Sequence, residues 1–299
     1  MIELTNKCNL SCPFCLTGKG GDLRKKGEMT FLKFKKIVNS RLDLRQILLW
    51  GGMGEPFLAS DIIKIINYAS EKILYLDIHT NGMALNKEKI NNLNIKNKLE
   101  ITFSIDGVNQ KVYEAYRRDG DLKKVLKNLS YLVNFKKEKD LSNLEIVWQF
   151  LVNKKNEGQI RQVVKTAKNI GVDKLKLKTI SINKKDPRYS EFIPRNVNYR
   201  REDKYILKEE ECYFINPGMP VILHNGDILP CCDIIPPYLK GNSEYLMGNA
   251  FKENIENVWK SKKYCNFMNL YKKKKNKFCL NNCRRNNKSK IYIKEFKFN

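Results

Sequence analysis

Three cysteines near the start of the chain carry the clearest chemical signal. Cys8, Cys12 and Cys15 have the spacing CxxxCxxC and follow the short apolar stretch "MIELT" at 1–5. A structural zinc site needs four protein ligands, yet the next histidine or cysteine after this triad is His79. A cubane iron–sulfur cluster can take three thiolates and leave one iron open for a small molecule. We therefore interpret the triad as a cluster site with one open position, and zinc remains the alternative.

Strand and helix patterns alternate from the first residue to about residue 180. Amphipathic stretches with helical spacing lie between short apolar or alternating runs. This order predicts parallel strands joined by right-handed crossovers, hence an α/β fold built on a partial (β/α)6 TIM-like barrel. Chemistry in such folds sits on the loops that follow the strands. The predicted strands are 1–5, 46–50, 73–80, 99–105, 144–152 and 174–180.

The pattern breaks near residue 182. A polar, proline-containing stretch without periodicity predicts a connector over 182–211. Beyond it, Asn225-Gly226 between two apolar arms predicts a hairpin, because both residues tolerate the positive φ of a tight turn. A short helix and a lysine-rich tail follow. We expect a core domain over 1–181 and a small α+β domain over 212–299 that needs a metal group to hold it.

Two motifs together resemble the radical S-adenosylmethionine (SAM) superfamily. "CNLSCPFC" follows a first strand, and "WGGMGEPFL" ends the second. The resemblance implies that the three cysteines hold a 4Fe-4S cluster and that Phe14 contacts the cofactor. It also implies that the backbone around Gly52, Gly54 and Glu55 receives the SAM amino group, where glycine permits a close approach.

Further residues are assigned through the same resemblance. In "FSIDG", Ser104 and Asp106 correspond to positions near the ribose or methionine part of SAM. Arg117 is a candidate partner for the SAM carboxylate, since a guanidinium can donate two parallel hydrogen bonds; Arg118 is its rival. Gln149 on the fifth predicted strand is a candidate cofactor contact.

The resemblance also implies a mechanism. The reduced cluster passes one electron to SAM, and a 5′-deoxyadenosyl radical then removes hydrogen from a substrate C–H bond. A flavodoxin- or ferredoxin-type protein would supply the electron. Such chemistry needs no neighbouring base, which suits a chain with two histidines.

A second cysteine set resembles the SPASM and twitch auxiliary-cluster modules. Cys212 and Cys231 flank Gly226 at the spacing these modules use, and "CLNNC" supplies Cys279 and Cys283. These four cysteines are expected to hold one auxiliary 4Fe-4S cluster, as in the twitch type. A two-cluster SPASM version and a zinc knuckle remain alternatives.

Two cysteines remain after these assignments, Cys232 and Cys265. Buried structural cysteine is the commonest fate of such residues. The functional alternative is donation of a hydrogen atom from the thiol to a substrate radical, which would invert a stereocentre. Cys232 follows an expected cluster ligand, and this predicts a place near the active mouth.

The charge and composition of the chain limit the classes of substrate and the cellular location that we expect. The formal net charge of +25 predicts an acidic or phosphorylated small molecule or peptide as substrate. No apolar run approaches the roughly 18 residues of a membrane span, and no secretory leader is apparent, so we expect a cytoplasmic protein.

Three functions remain open on this evidence. The first is oxidation of a sugar- or cyclitol-type alcohol, with electron transfer to the auxiliary cluster. The alternative is a radical SAM epimerase or thioether-forming maturase acting on a sugar or ribosomal peptide. A zinc-stapled, basic nucleic-acid-binding protein is a distant third.

Overall fold

Five parallel strands form the central sheet, in the order β1 to β5, and a sixth strand, β9, pairs antiparallel with β5. The computed structural model describes residues 1–18, 20–40, 44–49, 54–200, 219–273, 275–281 and 292–298. The strands are β1 (Gln46–Leu49), β2 (Tyr75–Thr80), β3 (Lys98–Ser104), β4 (Leu144–Val152), β5 (Lys174–Thr179), β6 (Val221–Ile222), β7 (Asp227–Leu229), β8 (Gly248–Asn249) and β9 (Tyr292–Lys297).

Helices follow most strands of the sheet and cover one of its faces. Each crossover helix has an apolar stripe. The helix ends are capped in the usual ways: the Asp121 side chain accepts from Lys124 N at the start of α5, and Gly171 ends α6 with a φ of +87°. The helices are α1 (Phe31–Asn39), α2 (Ile62–Lys72), α3 (Lys87–Asn91), α4 (Gln110–Tyr116), α5 (Leu122–Glu138), α6 (Ile160–Ile170), α7 (Tyr189–Phe192), α8 (Ile235–Leu239), α9 (Ile255–Lys260), α10 (Lys262–Lys272) and α11 (Lys277–Asn281).

The two faces of the sheet differ in chemistry because side chains alternate along each strand. The helix-covered face is fully buried and apolar, with residues such as Leu76, Ile101 and Trp148. The opposite face is polar and lines the inside of the partial barrel. Its residues include Asp77, Glu100, Gln149 and Lys176, together with their neighbours on the same strands.

The first residues of the chain join this sheet to a second, three-stranded sheet of β6, β7 and β8. Ile2 bridges in parallel to both Leu49 and Ile222, and Glu3 N donates to Ile222 O at 2.9 Å. The hairpin between β6 and β7 turns at Gly226, whose φ is +90°. Sheet hydrogen bonding therefore continues from the barrel into the C-terminal part of the chain.

The predicted α/β partial barrel is confirmed, with β1 to β5 lying within two residues of their expected bounds. The predicted hairpin is also found. Segment 1–5 differs from the prediction, because it makes isolated bridges at Ile2 and Thr5 rather than a continuous strand. β9 lies in the stretch expected to be a lysine-rich tail, and α7 lies within the expected connector. The domain boundaries themselves stay a prediction.

No helix among the described residues is long and apolar enough to cross a membrane.

Candidate active site

The three N-terminal cysteines line a single cavity of about 280 Å³ at the carboxyl ends of the strands. Cys12 is buried, whereas Cys8 and Cys15 are partly exposed. Two donors lie near their sulfur atoms: Asn81 Nδ2 is 3.9 Å from Cys8 Sγ, and Arg117 Nη1 is 4.0 Å from Cys12 Sγ. The other lining residues are Leu10, Phe14, Gly54, Glu55, His79, Thr80, Ser104, Tyr116, Gln149 and Leu151.

Glu55 holds the glycine-rich turn to the end of β2. Its carboxylate accepts from Thr80 Oγ1 at 2.6 Å and from Asn81 N at 2.7 Å. It also accepts from Phe57 N at the start of the following short helix. Complete burial raises the pKa of Glu55, although these donors oppose the shift. Glu55 thus fixes the relative position of two loops at the cavity mouth.

Two glycines permit close backbone contacts around the cysteines. A Cβ at Gly54 would lie 2.0 Å from Thr5 O, and a Cβ at Gly18 would lie 2.7 Å from both N and O of Cys12. The side of Gly54 that lacks a side chain therefore packs against the end of the first segment, and the expected contact of its backbone with the SAM amino group stays a prediction. Gly18 was not singled out from the sequence, because its role depends on a contact with a residue six positions earlier.

Arg117 lies at the end of α4 and is oriented by Asp106. Arg117 Nε donates to Asp106 Oδ2 at 2.6 Å, and Leu151 N donates to Asp106 Oδ1 at 2.7 Å. Asp106 is completely buried and does not line the cavity, so it acts on the site through Arg117 rather than as the direct contact expected. Arg118, the rival candidate, is exposed. The geometry favours Arg117.

Phe14 forms one wall of the cavity within an aromatic cluster. Its ring is 5.1 Å from that of Phe192 in an edge-on arrangement and 6.2 Å from that of Tyr116. The Arg188 guanidinium lies 4.9 Å from the Phe14 centroid, a cation–π distance. Residues of the predicted connector therefore pack against the cysteine loop.

The floor of the cavity is polar and comes from three neighbouring strands. His79 on β2, Ser104 on β3 and Gln149 on β4 contribute side chains. Gln149 Nε2 is 3.4 Å from Ser104 Oγ, while Gln149 Oε1 is buried and has no hydrogen-bond partner among the described residues. His79 was not among the residues assigned a role from the sequence, although the stretch from His79 to Leu85 resembles the third-strand turn of radical SAM enzymes.

The thiol chemistry fits an iron–sulfur cluster better than a single metal ion. No three His, Cys, Asp or Glu side chains among the described residues are arranged to hold one metal ion. A four-iron cluster is larger than one ion and takes thiolates that lie farther apart. Burial raises the pKa of Cys8 to about 11 and also raises that of Cys12, so these sulfurs need a strong positive partner to ionise. The iron of a bound cluster would supply that partner.

The second cysteine set is described in part. Cys231 is buried at the end of the hairpin, and burial together with neighbouring Cys232 raises its pKa well above the usual value. Cys279 is half-buried on α11. Cys212 and Cys283, and likewise Gly52 of the glycine-rich turn, lie outside the described residues, so the four-cysteine arrangement stays a prediction.

Neither cysteine proposed as a hydrogen donor lines the cavity. Cys232 is buried near the α-amino group of Met1, at the opposite end of the first segment from Cys8. This corrects the expectation that it lies near the active mouth. Cys265 is exposed on α10, with Sγ 3.6 Å from Trp259 O.

A buried ionic network ties the hairpin to the segment before Cys8. Arg24 donates to both carboxylate oxygens of Glu3 at 2.7 and 2.8 Å. His224, at the hairpin turn, lies with Nδ1 2.8 Å from Glu3 Oε2, and Arg24 also pairs with Asp22 at 2.8 Å. Three separate stretches of chain therefore meet at one carboxylate.

Comparison with known protein families shows which families the chain matches. The family model of the radical SAM superfamily matches residues 2–157, slightly more than half of the protein. The model of the SPASM iron–sulfur cluster-binding domain matches residues 212–284. The chain belongs to the radical SAM superfamily and carries a SPASM domain.

Curated relatives are distant. A cofactor-modifying protein for tungsten-containing aldehyde ferredoxin oxidoreductase from Pyrococcus furiosus is 23% identical over 88% of this chain and 81% of its own. The subtilosin biosynthesis protein AlbA of Bacillus subtilis is 23% identical over 87% of this chain and 59% of its own. The mycofactocin maturase MftC of Mycolicibacterium smegmatis is 29% identical over 44% of this chain, which spans 33% of that relative's length.

Solved structures show the same fold. SuiB of Streptococcus suis bound to S-adenosylmethionine superposes with a TM-score of 0.64 at 17% identity, covering 89% of this chain and 67% of SuiB. SuiB bound to its precursor peptide SuiA gives a TM-score of 0.60 at 19% identity, covering 89% and 65%.

Membership of the family establishes the cofactors. The radical SAM domain implies S-adenosylmethionine and a 4Fe-4S cluster, and the SPASM domain implies auxiliary iron–sulfur clusters. The protein is therefore a radical SAM enzyme, and the zinc-stapled nucleic-acid-binding alternative is excluded.

Proposed function

We propose that this enzyme modifies a peptide, beginning with removal of a hydrogen atom from one of the peptide's C–H bonds. The single observation that carries the proposal is the likeness over 87% of the chain to a bacteriocin biosynthesis protein. The SPASM match behind the radical SAM core and the fold shared with SuiB, solved with a precursor peptide, agree with it.

The cavity residues would divide the work of holding the cofactors. Cys8, Cys12 and Cys15 would hold the cluster that binds SAM. Together these groups supply, when bound, a carbon radical that takes a hydrogen atom from the substrate. Arg117, held by Asp106, would grip the SAM carboxylate with parallel hydrogen bonds.

The polar floor and the aromatic wall would complete the site. Ser104 and Gln149 would give hydrogen bonds to the hydroxyl-rich part of SAM, and Phe14 would exclude water from one side. Ser104 and Gln149 are buried, and Phe14 is half-buried against Phe192. This packing would limit access of solvent to a reactive radical, which is the protein's main contribution to such chemistry.

The C-terminal part would hold the auxiliary cluster. We assign Cys212, Cys231, Cys279 and Cys283 as its ligands from their resemblance to the auxiliary-cluster modules, and burial of Cys231, which raises the pKa of its thiol, agrees with a site where metal would stabilise the thiolate. The lysine-rich surface, which gives the chain its net charge of +25, would attract acidic segments of the peptide and an acidic electron carrier.

The test is peptide-dependent cleavage of SAM. Anaerobically reconstituted enzyme is reduced and incubated with SAM and with short peptides encoded beside its gene. We expect deoxyadenosine formation that rises with peptide, together with a mass change in the peptide. Deoxyadenosine formation that no peptide stimulates, and no change in peptide mass, would contradict the proposal.

A small-molecule substrate is the second candidate. The Pyrococcus furiosus relative, which covers most of both chains, is by name a cofactor-modifying protein. Oxidation of a sugar or cyclitol, expected first from the sequence, stays a prediction, and the relatives favour a peptide over it. Cell extract treated with protease separates the two: a stimulating factor that survives protease selects the small molecule.

A further inference from the structure

The side chain of Asn81, directly after β2, reaches the cysteine loop across the mouth of the cavity. It lines the cavity and is only 6% exposed. Its amide nitrogen Nδ2 lies 2.9 Å from Asn9 Oδ1 and 3.9 Å from Cys8 Sγ. The two N–H bonds of one amide thus meet two acceptors that are adjacent in the chain, a thiol of the triad and the side chain that follows it.

The orientation of this amide is fixed by the turn to which it belongs. Asn81 Oδ1 accepts from Met83 N at 2.9 Å, and Asn81 N donates to Glu55 Oε2 at 2.7 Å. Exchanging the amide oxygen and nitrogen would turn an N–H group toward Met83 N, which is also a donor, and lose that bond. The nitrogen is therefore the end of the amide that faces Cys8.

The surroundings of Cys8 oppose negative charge on its sulfur. Burial and the nearby carboxyl group of Glu55 disfavour the thiolate, and the backbone N–H of Leu10 favours it. Sulfur ligands of an iron–sulfur cluster carry more negative charge after one-electron reduction than before, so an N–H donor stabilises the reduced form more than the oxidised form. An amide directed at Cys8 therefore raises the reduction potential.

We propose that Asn81 is a positioning residue for the cluster of Cys8, Cys12 and Cys15: its amide raises the reduction potential through Cys8 and holds the cysteine loop to the turn after β2 through Asn9. This goes beyond the proposed function, because it concerns the electron that enters before any substrate reacts. Hydrogen bonds to an ionised group are shorter than neutral ones, so the separation of 3.9 Å should contract when Cys8 is a thiolate. The higher potential eases reduction by a ferredoxin- or flavodoxin-type carrier.

The test compares variants that remove different parts of this contact. Asn81→Leu keeps the approximate size of the side chain and removes the amide, whereas Asn9→Ala removes one acceptor and leaves the amide on Cys8. Asn67→Leu, on α2, is the matched control. Asn67 likewise accepts from a backbone N–H and donates to an oxygen, in its case at the loop before β3. The iron content of each reconstituted variant is measured first.

Two spectroscopic measurements follow, and neither depends on turnover. Redox titration monitored by EPR gives the potential of the reduced cluster, whose signal is identified as the one lost in Cys12→Ser. Asparagine labelled with ¹⁵N in its side-chain amide is then incorporated, and pulsed EPR measures the coupling of a labelled nitrogen to the cluster. Chelator challenge measures how firmly the loop holds iron.

Asn81→Leu should lower the equilibrium constant for one-electron reduction about tenfold, equivalent to ~59 mV, and abolish the ¹⁵N coupling. Asn9→Ala should retain the coupling and most of the potential. Both variants should lose iron to the chelator faster, because each releases the cysteine loop from the turn. Asn67→Leu should change none of the three.

An unchanged potential in Asn81→Leu with full iron would overturn the proposal, and so would a ¹⁵N coupling that persists in that variant. If Asn81→Leu loses the cluster, labelled Asn81→Asp decides, since aspartate keeps the bond from Met83 N; here too a persisting coupling overturns the proposal. Weaker SAM binding at an unchanged potential would assign Asn81 to the SAM pocket instead. Peptide-dependent deoxyadenosine formation is measured separately, so the proposed function stands or fails independently.

Discussion

Arg117 and Asp106 form a buried ion pair, with Nε and Oδ2 2.6 Å apart, directly behind the cysteine loop. The second oxygen of Asp106 accepts from the backbone of β4 at Leu151, so the aspartate cannot turn away from the arginine. The guanidinium then reaches Cys12 Sγ at 4.0 Å with Nη1. The direction of the Arg117 guanidinium is thus set by the turn that follows β3 and by the backbone of β4.

Asp106→Asn should weaken SAM binding while leaving iron content nearly unchanged. Asparagine keeps the size of the side chain but loses the charge that orients Arg117, and a hydrogen bond to a charged group contributes roughly 1.5–3 kcal/mol. Equilibrium binding of SAM to the cluster-loaded enzyme should therefore fall about tenfold or more. Arg118→Lys, at the exposed neighbour, is the control; an equal loss there would contradict the assignment of Arg117.

Replacing any of Cys8, Cys12 and Cys15 by serine should remove one cluster. We expect the iron content to fall by about four atoms per chain and the SAM-dependent activity to disappear, because each cysteine supplies one of three thiolates. Iron assay and the visible absorption spectrum measure the loss. Cys265→Ser, at an exposed thiol outside the cavity, should retain all the iron. Full iron content after a change in the triad would contradict these ligands.

Gly18→Ala should loosen the cysteine loop. The added Cβ would lie 2.7 Å from Cys12 N and O, so the backbone must shift, at a cost of about 1–3 kcal/mol. We expect slower cluster reconstitution and faster iron loss to a chelator. Gly158→Ala is a matched control, because a Cβ there meets nothing within 4 Å. Equal chelation rates in the two variants would show that this contact does not position the loop.

Stability should depend on pH through Glu3. Burial alone would raise the pKa of Glu3, but hydrogen bonds from Arg24 and His224 lower it from about 4.5 to about 2. The folded state thus prefers the ionised form, and up to about 3 kcal/mol of stability, present above pH 4.5, is lost as pH falls toward 2.

Urea unfolding, from about pH 5 down to the lowest pH at which iron is retained, measures this loss. Glu3→Gln should reduce the dependence of the free energy of unfolding on pH. Glu100, whose pKa also lies at about 2, should account for the dependence that remains. Glu88→Gln, at an exposed residue of α3, should change nothing. If the free energy of unfolding depends on pH equally in Glu3→Gln and in the unchanged protein, the Glu3 network does not contribute this stability.

Most of the barrel could be predicted from the sequence because local pattern and tertiary burial agree there. β2 and β5 alternate strictly between buried and half-buried residues, and β4 is mostly apolar and buried at most of its positions. β9 was missed because lysines and a glutamate separate its apolar residues, and Ile293 and Phe296 are three positions apart, so no period-two apolar pattern marks the strand. Its partner is β5, more than a hundred residues earlier, and no local signal names a distant partner.

The parts of the site that lie in short sequence motifs could be predicted. The parts that depend on contacts between residues distant in sequence could not. The cysteine triad was found by its spacing and the Glu55 turn by its resemblance to a family motif, and both line the same cavity. The roles of Asp106 and Gly18 depend on tertiary contacts that spacing does not encode. His79 was given no role from the sequence, because only the fold decides which residues of a strand face the cavity.

The bridges from Ile2 to both Leu49 and Ile222 limit where the protein can be truncated. A fragment ending at the family boundary near residue 157 would lose β5, β9 and the hairpin together. Both edges of its sheet would then expose unpaired backbone N–H and C=O groups, which promote self-association. Truncation therefore yields aggregates rather than a miniature enzyme, and swaps with relatives should exchange whole chains.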